Sequence, residues 1–473
     1  MNRRLVVVGG GISGLAAVYR LQELKRERNL RIEIILLEAG QRLGGAIATE
    51  RVGDFLVEAG PDSFITEKPW ALGLCERLGI KSRLVSTNST SRTIYVVHNG
   101  SLQPLPEGFF LLAPTRFAPV ITTPLFSWRG KLRMAAELFL PRGQVNGDES
   151  LASFVRRRFG QEVLERVAQP LIGGIYAADP EKLSLRSTMP RFLEMERASR
   201  SVIYAMWKGQ RSRTRNAQRG SGARWSLFVT LFGGMQELVD AIAGQLPTGT
   251  VHFDSGVSSL EWEAAAGSWL ITTRGAEKLK ADGIILATPS YGSAEMLSSI
   301  APALSRELAA IPYSSAATVS LAYRRDQIPH RLDGFGIVVP AVEARKIIAC
   351  TFSSIKYPGR APDGHLLLRV FVGGAMQPHL VDQDDSTIES CARRELAELL
   401  GIQAAPLFCR LFRHRRSMPQ YEVGHQERIR RMESPLSKLP ALRLAGNAYG
   451  GVGMADCIHS GEQAAEELLE LLK

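Results

Sequence analysis

The opening segment limits the fold more than any other part of the chain. Leu5-Val6-Val7-Val8 is an unbroken apolar run ending in three β-branched valines, which suits a strand buried on both faces of a parallel sheet. It enters Gly9-Gly10-Gly11-Ile12-Ser13-Gly14, where Gly9, Gly11 and Gly14 satisfy G-x-G-x-x-G. Leu15, Val18, Leu21 and Leu24 follow at helical spacing, and a second strand, Ile32 to Leu37, ends at Glu38. A lone glycine motif is weak; strand, glycine turn, helix, strand and acid in this order make a dinucleotide-binding unit. Gly9 permits the tight turn, Gly11 leaves room for a pyrophosphate, and Gly14 lets the helix lie close to the sheet. Free N–H groups and the dipole at the helix start, at Ile12 and Ser13, attract the phosphates. Glu38 is placed to accept hydrogen bonds from both ribose hydroxyls of an adenosine, and its charge disfavours a 2′-phosphate.

The next residues select among dinucleotides. Ala39-Gly40-Gln41-Arg42-Leu43-Gly44-Gly45 carries an arginine able to reach back to the pyrophosphate and a glycine pair that lets the chain turn. This E-x-x-x-R-x-G-G arrangement resembles the extended fingerprint of the flavin-dependent amine oxidase and protoporphyrinogen oxidase superfamily. Val57-Glu58-Ala59-Gly60-Pro61-Asp62-Ser63-Phe64 is similar to that superfamily's loop past the ribityl chain and flavin ring. Near the other end, Leu442 to Asn447 reads as a short strand and turn, and the glycine-rich run from Ala448 to Ile458 leads into a helix. It resembles the second flavin motif, where a helix start stabilises negative charge near flavin N1. The resemblance implies FAD. Its binding residues would be Gly9, Gly10, Gly11, Ile12, Ser13, Gly14, Glu38, Ala39, Arg42, Gly44, Gly45, Gly60, Pro61, Asp62, Ser63, Val257, Gly446, Val452, Gly453 and Met454, with Val257 at the adenine end through its backbone.

Three further segments resemble one branch, the protoporphyrinogen and coproporphyrinogen oxidases: Gly173 to Ser184, Met418 to His425, and Gly446 to Gly453 with Asp456-Cys457-Ile458. Two positions depart from its pattern: Ala178 stands where glycine is common, and His414 where the branch often has a tryptophan near the flavin. The resemblance implies hydride transfer from a porphyrinogen to flavin N5, with dioxygen reoxidising the flavin and hydrogen peroxide formed. The flavin carries that chemistry, so no catalytic side chain is assigned, and Tyr421 and His425 read as structural. Arg92 aligns with an arginine that holds a substrate propionate, and Ile175 lies in a substrate-side segment. Coproporphyrinogen III is the expected substrate, with protoporphyrinogen IX as the alternative.

Charge supports an acidic small molecule. Lys+Arg 58 against Asp+Glu 47 gives +11. From Arg197 to Met235 there is no acid but eight basic residues, which read as a solvated flexible loop or as a rim for propionates or anionic lipid. The charge argues against an amine oxidase acting on cations. No nucleic-acid module is present, and the charge sits in one loop instead of an aromatic-rich groove. Five scattered cysteines without a CxxC pair argue for free thiols in a reducing compartment and against a metal site. Neither an export signal nor a spanning helix is expected; the Phe109–Phe126 stretch, broken by Arg116 and three prolines, reads as core or as a patch dipping into one leaflet. The expected location is the cytoplasm, with peripheral membrane contact and transient contact with other heme-pathway enzymes left open. The expected architecture is α/β: a discontinuous Rossmann-like FAD-binding domain (1–90, 226–290 and 437–473), a helical insertion (91–225) and a mixed β-sheet substrate domain (291–436).

Overall fold

The computed structural model describes residues 3–110, 112–116, 118–143, 147–217 and 226–472. Five parallel strands form a sheet in the order Val251–His252, Ile32–Leu37, Arg3–Val8, Gly283–Leu286, Leu442–Leu444, assembled from three distant parts of the chain. Alternate side chains of each strand enter different cores. Leu5, Val7, Ile34, Leu36 and Ile285 pack under the helices Ile12–Glu27, Pro69–Arg77, Gln236–Ala243 and Met454–Leu471. Val6, Val8, Ile35, Leu37, Ile284 and Leu286 pack on the other face, below an antiparallel sheet of Val257–Glu263, Ser268–Thr273 and Lys278–Ala281. Burial on both faces is why these strands read as continuous apolar runs.

A second sheet has seven strands, in the order Phe408–Pro419, Tyr313–Arg324, His365–Gly373, Ala349–Phe352, Gly334–Val338, Thr93–His98, Ser101–Pro104. One face buries Val319, Leu321, Leu368 and Val370 against the helix Asp385–Leu400. The opposite face meets the nucleotide domain, where Thr318 and Arg369 both donate to the Ala59 carbonyl.

The helical part has its own core, built from Leu151–Arg158, Gln169–Tyr176, Pro190–Ser199 and Val202–Ala217. Its buried charges are paired. Arg158, fully enclosed, bonds Glu137, and that carboxylate also accepts the Val202 N–H at 2.8 Å, closing the start of the last of these helices.

Three expectations are corrected. The helical insertion does not begin at 91, because Thr93–His98 and Ser101–Pro104 join the edge of the seven-stranded sheet. The substrate domain does not fill 291–436, because the helices Ser290–Leu297, Pro302–Ala309 and His425–Ser437 pack into the core beneath the nucleotide sheet. Within the basic stretch, Val202–Ala217 is helical instead of a loop, since its apolar start anchors it in the helical core; Arg219 and Arg224 lie outside the described residues. In the Phe109–Phe126 stretch, Leu112, Ala113, Val120, Leu125 and Phe126 are core residues.

The first and last helices of the nucleotide domain pack backbone against backbone. A Cβ on Gly461 would stand 2.1 Å from the Ser13 carbonyl oxygen and 3.1 Å from the Ala17 nitrogen. The contacted atoms are backbone and cannot turn away. Gly461→Ala is expected to destabilise the protein by about 1–3 kcal/mol, seen as a lower midpoint in denaturant unfolding.

Candidate active site

The glycines of the first turn have distinct roles. Gly9 has φ +107°, and a Cβ there would lie 2.7 Å from the Ala287 carbonyl oxygen; one on Gly14 would lie 1.9 Å from the oxygen of Gly9. Gly11 is the opposite case, with no heavy atom within 4 Å of where its Cβ would be. That open side faces a helix start with no side-chain cap and no acid in its first turn, so the dipole is left for an anion.

Glu38 closes one end of this cradle. Its two oxygens accept the N–H of Gly10 at 2.6 Å and of Gly40 at 2.7 Å. Each oxygen retains acceptor capacity for a hydroxyl. The chain entering Val257 is tied to the same place: Ser255 N–H donates to the Glu38 carbonyl at 2.8 Å and Asp254 N–H to that of Gly40 at 3.1 Å. Exposed Ala39 lies between them, and Gly256 leaves room for its methyl group. Arg42 stands just before the next turn. Its guanidinium donates to the carbonyls of Leu43 at 3.2 Å, Ile47 at 2.9 Å and Gly45, so it braces the Gly44–Gly45 turn. The turn in turn touches Gly11, with Gly44 N–H bonding the Gly10 carbonyl at 2.8 Å.

The loop from Ala59 to Ser63 seats on that turn, since a Cβ on Gly60 would overlap the Ala46 oxygen at 1.8 Å. Pro61 is exposed at its crest. Asp62 accepts from Ser63 at 2.6 Å and pairs with Lys356 at 3.0 Å. Burial alone would raise its pKa, but Lys356 and Arg369 outweigh burial and bring it down to about 2. Arg360, also buried, lies 3.7 Å from Glu58 and donates to the carbonyls of Leu231 at 3.0 Å and Phe232 at 3.3 Å.

The C-terminal motif arrives from the other side. Gly446 has φ +135° and its N–H donates to the Ser460 hydroxyl at 3.1 Å. Tyr421 donates to the Asn447 carbonyl at 2.6 Å, accepts the Gly451 N–H at 2.9 Å, and stacks on His425 with ring centres 4.0 Å apart. Both therefore brace the loop before Val452 and Gly453, the structural role expected of them. The helix Met454–Leu471 starts at Gly453 without a side-chain cap, beside Asp456, which pairs with Lys68 at 2.5 Å. The contact of Gly461 with Ser13 sets this helix directly against the first one.

Ile175 is exposed on the last turn of Gln169–Tyr176, next to Tyr176, whose carbonyl accepts from Gln420 at 3.2 Å. The left-handed residue after this helix is Ala177 (φ 48°), so the alanine at 178 does not take the strained position. A small cleft opens between this helix and the seven-stranded sheet, past Gly173, Ile348 and Met376. Arg92 is exposed and reaches the Asn88 carbonyl at 3.4 Å; Asn88 in turn bonds Lys356, the partner of Asp62. Sequence reasoning missed Thr318, Lys356, Arg360 and Arg369. A signal existed for one of them: Arg369 interrupts the apolar run Leu366-Leu367-Leu368-Arg369-Val370, where a central strand should carry no charge unless it faces a polar partner.

The cysteines are all free, as expected from their spacing. Burial pushes the Cys457 thiol up to about 12, so it is no nucleophile. Among the described residues no three His, Cys, Asp or Glu side chains could hold a metal. The residues present fit a dinucleotide: an open glycine at a helix start, an acid for a ribose, and a second uncapped helix start alongside.

Glu38→Ala is expected to weaken flavin-nucleotide binding about 10–100-fold, measured by fluorescence titration of the apoprotein. His425 gives a pH prediction. Burial brings its pKa from 6.5 down to about 4, so the folded ring stays neutral while the unfolded chain takes up a proton below 6.5. Stability is full above pH 6.5 and falls, by about 3 kcal/mol, as pH drops toward 4. His425→Phe keeps the stack on Tyr421 and should flatten that part of the stability–pH curve.

Comparison with known proteins agrees with this geometry. Residues 12–469 match the model of the flavin containing amine oxidoreductase family. The chain is 36% identical over 472 residues to a coproporphyrinogen III oxidase of Bacillus subtilis (100% of this chain, 99% of the relative). It is 33% identical to the human protoporphyrinogen oxidase, covering 99% of each. A solved structure from Exiguobacterium sp. 255-15, assigned provisionally to the protoporphyrinogen oxidases, superposes with a TM-score of 0.87 at 30% identity over 99% of each chain. Fold, nucleotide cradle and full-length likeness together make this chain a flavin-dependent oxidoreductase that belongs to the flavin-containing amine oxidoreductase family, in the branch of the porphyrinogen oxidases.

Proposed function

We propose that the chain is an FAD-dependent, oxygen-using enzyme that oxidises coproporphyrinogen III to coproporphyrin III in heme biosynthesis. The observation that carries this reading is the 36% identity, over essentially the whole length of both chains, to a coproporphyrinogen III oxidase. The chemistry of the site supports it. A porphyrinogen methylene bridge lies between electron-rich pyrroles, so hydride loss leaves a delocalised cation and a pyrrole N–H then releases its proton. Such a substrate needs positioning more than acid–base help, and the site has no poised acid, base or thiolate. When bound, FAD would supply the hydride acceptor for this oxidation and a route for the electrons to dioxygen, with hydrogen peroxide as the by-product. The chain's residues would bind and orient. The glycine turn would hold the phosphates, Glu38 the ribose and the loop from Gly60 to Ser63 the flavin end, while the sheet and the Ile175 segment would keep water from the substrate. Arg92 holds a propionate at the rim, where a guanidinium can bind a carboxylate through two hydrogen bonds.

Among the described residues no helix is long and apolar enough to cross a membrane. Exposed Trp128, Leu132 and Phe139, beside Lys131, support peripheral contact with an anionic membrane.

The deciding assay compares coproporphyrinogen III with protoporphyrinogen IX, following porphyrin fluorescence and peroxide together. Faster oxidation of coproporphyrinogen is expected; a large preference for protoporphyrinogen reverses the substrate assignment, and turnover of neither ends it. Arg92→Ala should raise KM for coproporphyrinogen about tenfold with kcat little changed. Flotation with anionic but not neutral liposomes tests the membrane contact.

A further inference from the structure

Three side-chain donors converge on the Ala59 carbonyl. The Thr318 hydroxyl donates to it at 3.1 Å, Arg369 Nη2 at 2.9 Å, and His414 Nε2 lies at 2.8 Å. A carbonyl oxygen has two lone pairs. The three side chains come from three neighbouring strands, Phe408–Pro419, Tyr313–Arg324 and His365–Gly373. Register puts His414 opposite Ala316, and Arg369 opposite Ser320, so both share the face of Thr318. That face is polar yet enclosed, with Thr318 at 3% and Arg369 at 5% exposure.

The protonation of His414 follows from the contact. A bare ring nitrogen would face the carbonyl oxygen lone pair to lone pair, so Nε2 carries the hydrogen and donates it. Burial holds the ring below the usual histidine pKa; the bond to Ala59 opposes this, and Arg369 and Arg42 reinforce it. His414 is thus a neutral donor. Arg369 has a second acceptor in the Gly60 carbonyl, at 2.5 Å. Thr318 makes the longest of the three contacts and has no other acceptor among its hydrogen bonds.

We propose that Thr318, Arg369 and His414 are positioning residues: together they clamp the Ala59–Gly60 segment to the substrate sheet and fix the loop on which a bound flavin would rest. This rests on the assignment of the 59–63 loop to FAD made above. His414 does by hydrogen bonding at this wall what an aromatic side chain would do by packing. A loop loosened at Ala59 changes the surroundings of a bound flavin, which its potential and spectrum report.

The test uses purified holoenzyme and reads the flavin midpoint potential, by equilibration with a reference dye, together with the visible absorption spectrum. Thr318→Val removes the hydroxyl at nearly constant volume. His414→Phe removes the donor, and His414→Gln keeps one. Thr318→Val and His414→Phe are each expected to change the two-electron equilibrium about tenfold, about 30 mV, with a displaced flavin band, while His414→Gln stays near wild type. Variants that bind FAD with the parent potential and spectrum overturn the clamp and leave the FAD assignment standing. A wild-type chain that takes up no FAD overturns both. Arg369 is left unchanged in the test, because its removal would strip Ala59, Gly60 and Asp62 at once.

Discussion

The structure depends on one close backbone contact between the first and last helices. The first helix begins at Gly11 and the last at Gly453, neither with a side-chain cap, and Gly461, about two turns into the last helix, packs against the Ser13 carbonyl. Unpaired N–H groups at a helix start favour anions, and the first start, open beside Gly11, offers them to a phosphate. The price is a backbone that tolerates no Cβ at Gly9, Gly14 and Gly461. The same packing closes the parallel sheet, because the last helix covers strands formed hundreds of residues earlier in the chain.

Around that contact, charge is arranged by burial. Glu58, Asp62, Lys356, Arg360 and Arg369 lie close together behind the Ala59–Ser63 loop. Isolated, any of them would be costly to enclose; paired and bonded to backbone carbonyls, they hold a loop that has no regular structure of its own. Such a network adds little to net stability compared with apolar packing, but it admits few alternative arrangements. That suits a loop which must keep one shape between the glycine turn and the sheet. Gly60, pressed on Ala46, prevents the loop from rising, and the sheet above prevents it from turning.

The nucleotide half was readable from the chain because its signals are local. Gly9 to Gly14, Glu38 and the flanking strands lie within one β–α–β unit, so spacing alone specifies turn, helix start and acid. Motif resemblance extended this to the loop at Gly60, which seats on Ala46, and to the loop at Gly446, which bonds Ser460 of the last helix. The reading failed where partners are remote. Strands at 93–104 were absorbed into a helical insertion because their partner, Gly334–Val338, lies far along the chain.

The sequence by itself determined the class of fold, the nucleotide turn and the flavin branch, since each follows from periodicity or from residues spaced a few positions apart. Only the tertiary structure decided which buried polar groups face one another. His414, Thr318 and Arg369 sit on three separate strands, and nothing in their local sequence says that they share one carbonyl. Sheet register decides that, and register depends on packing across the whole domain.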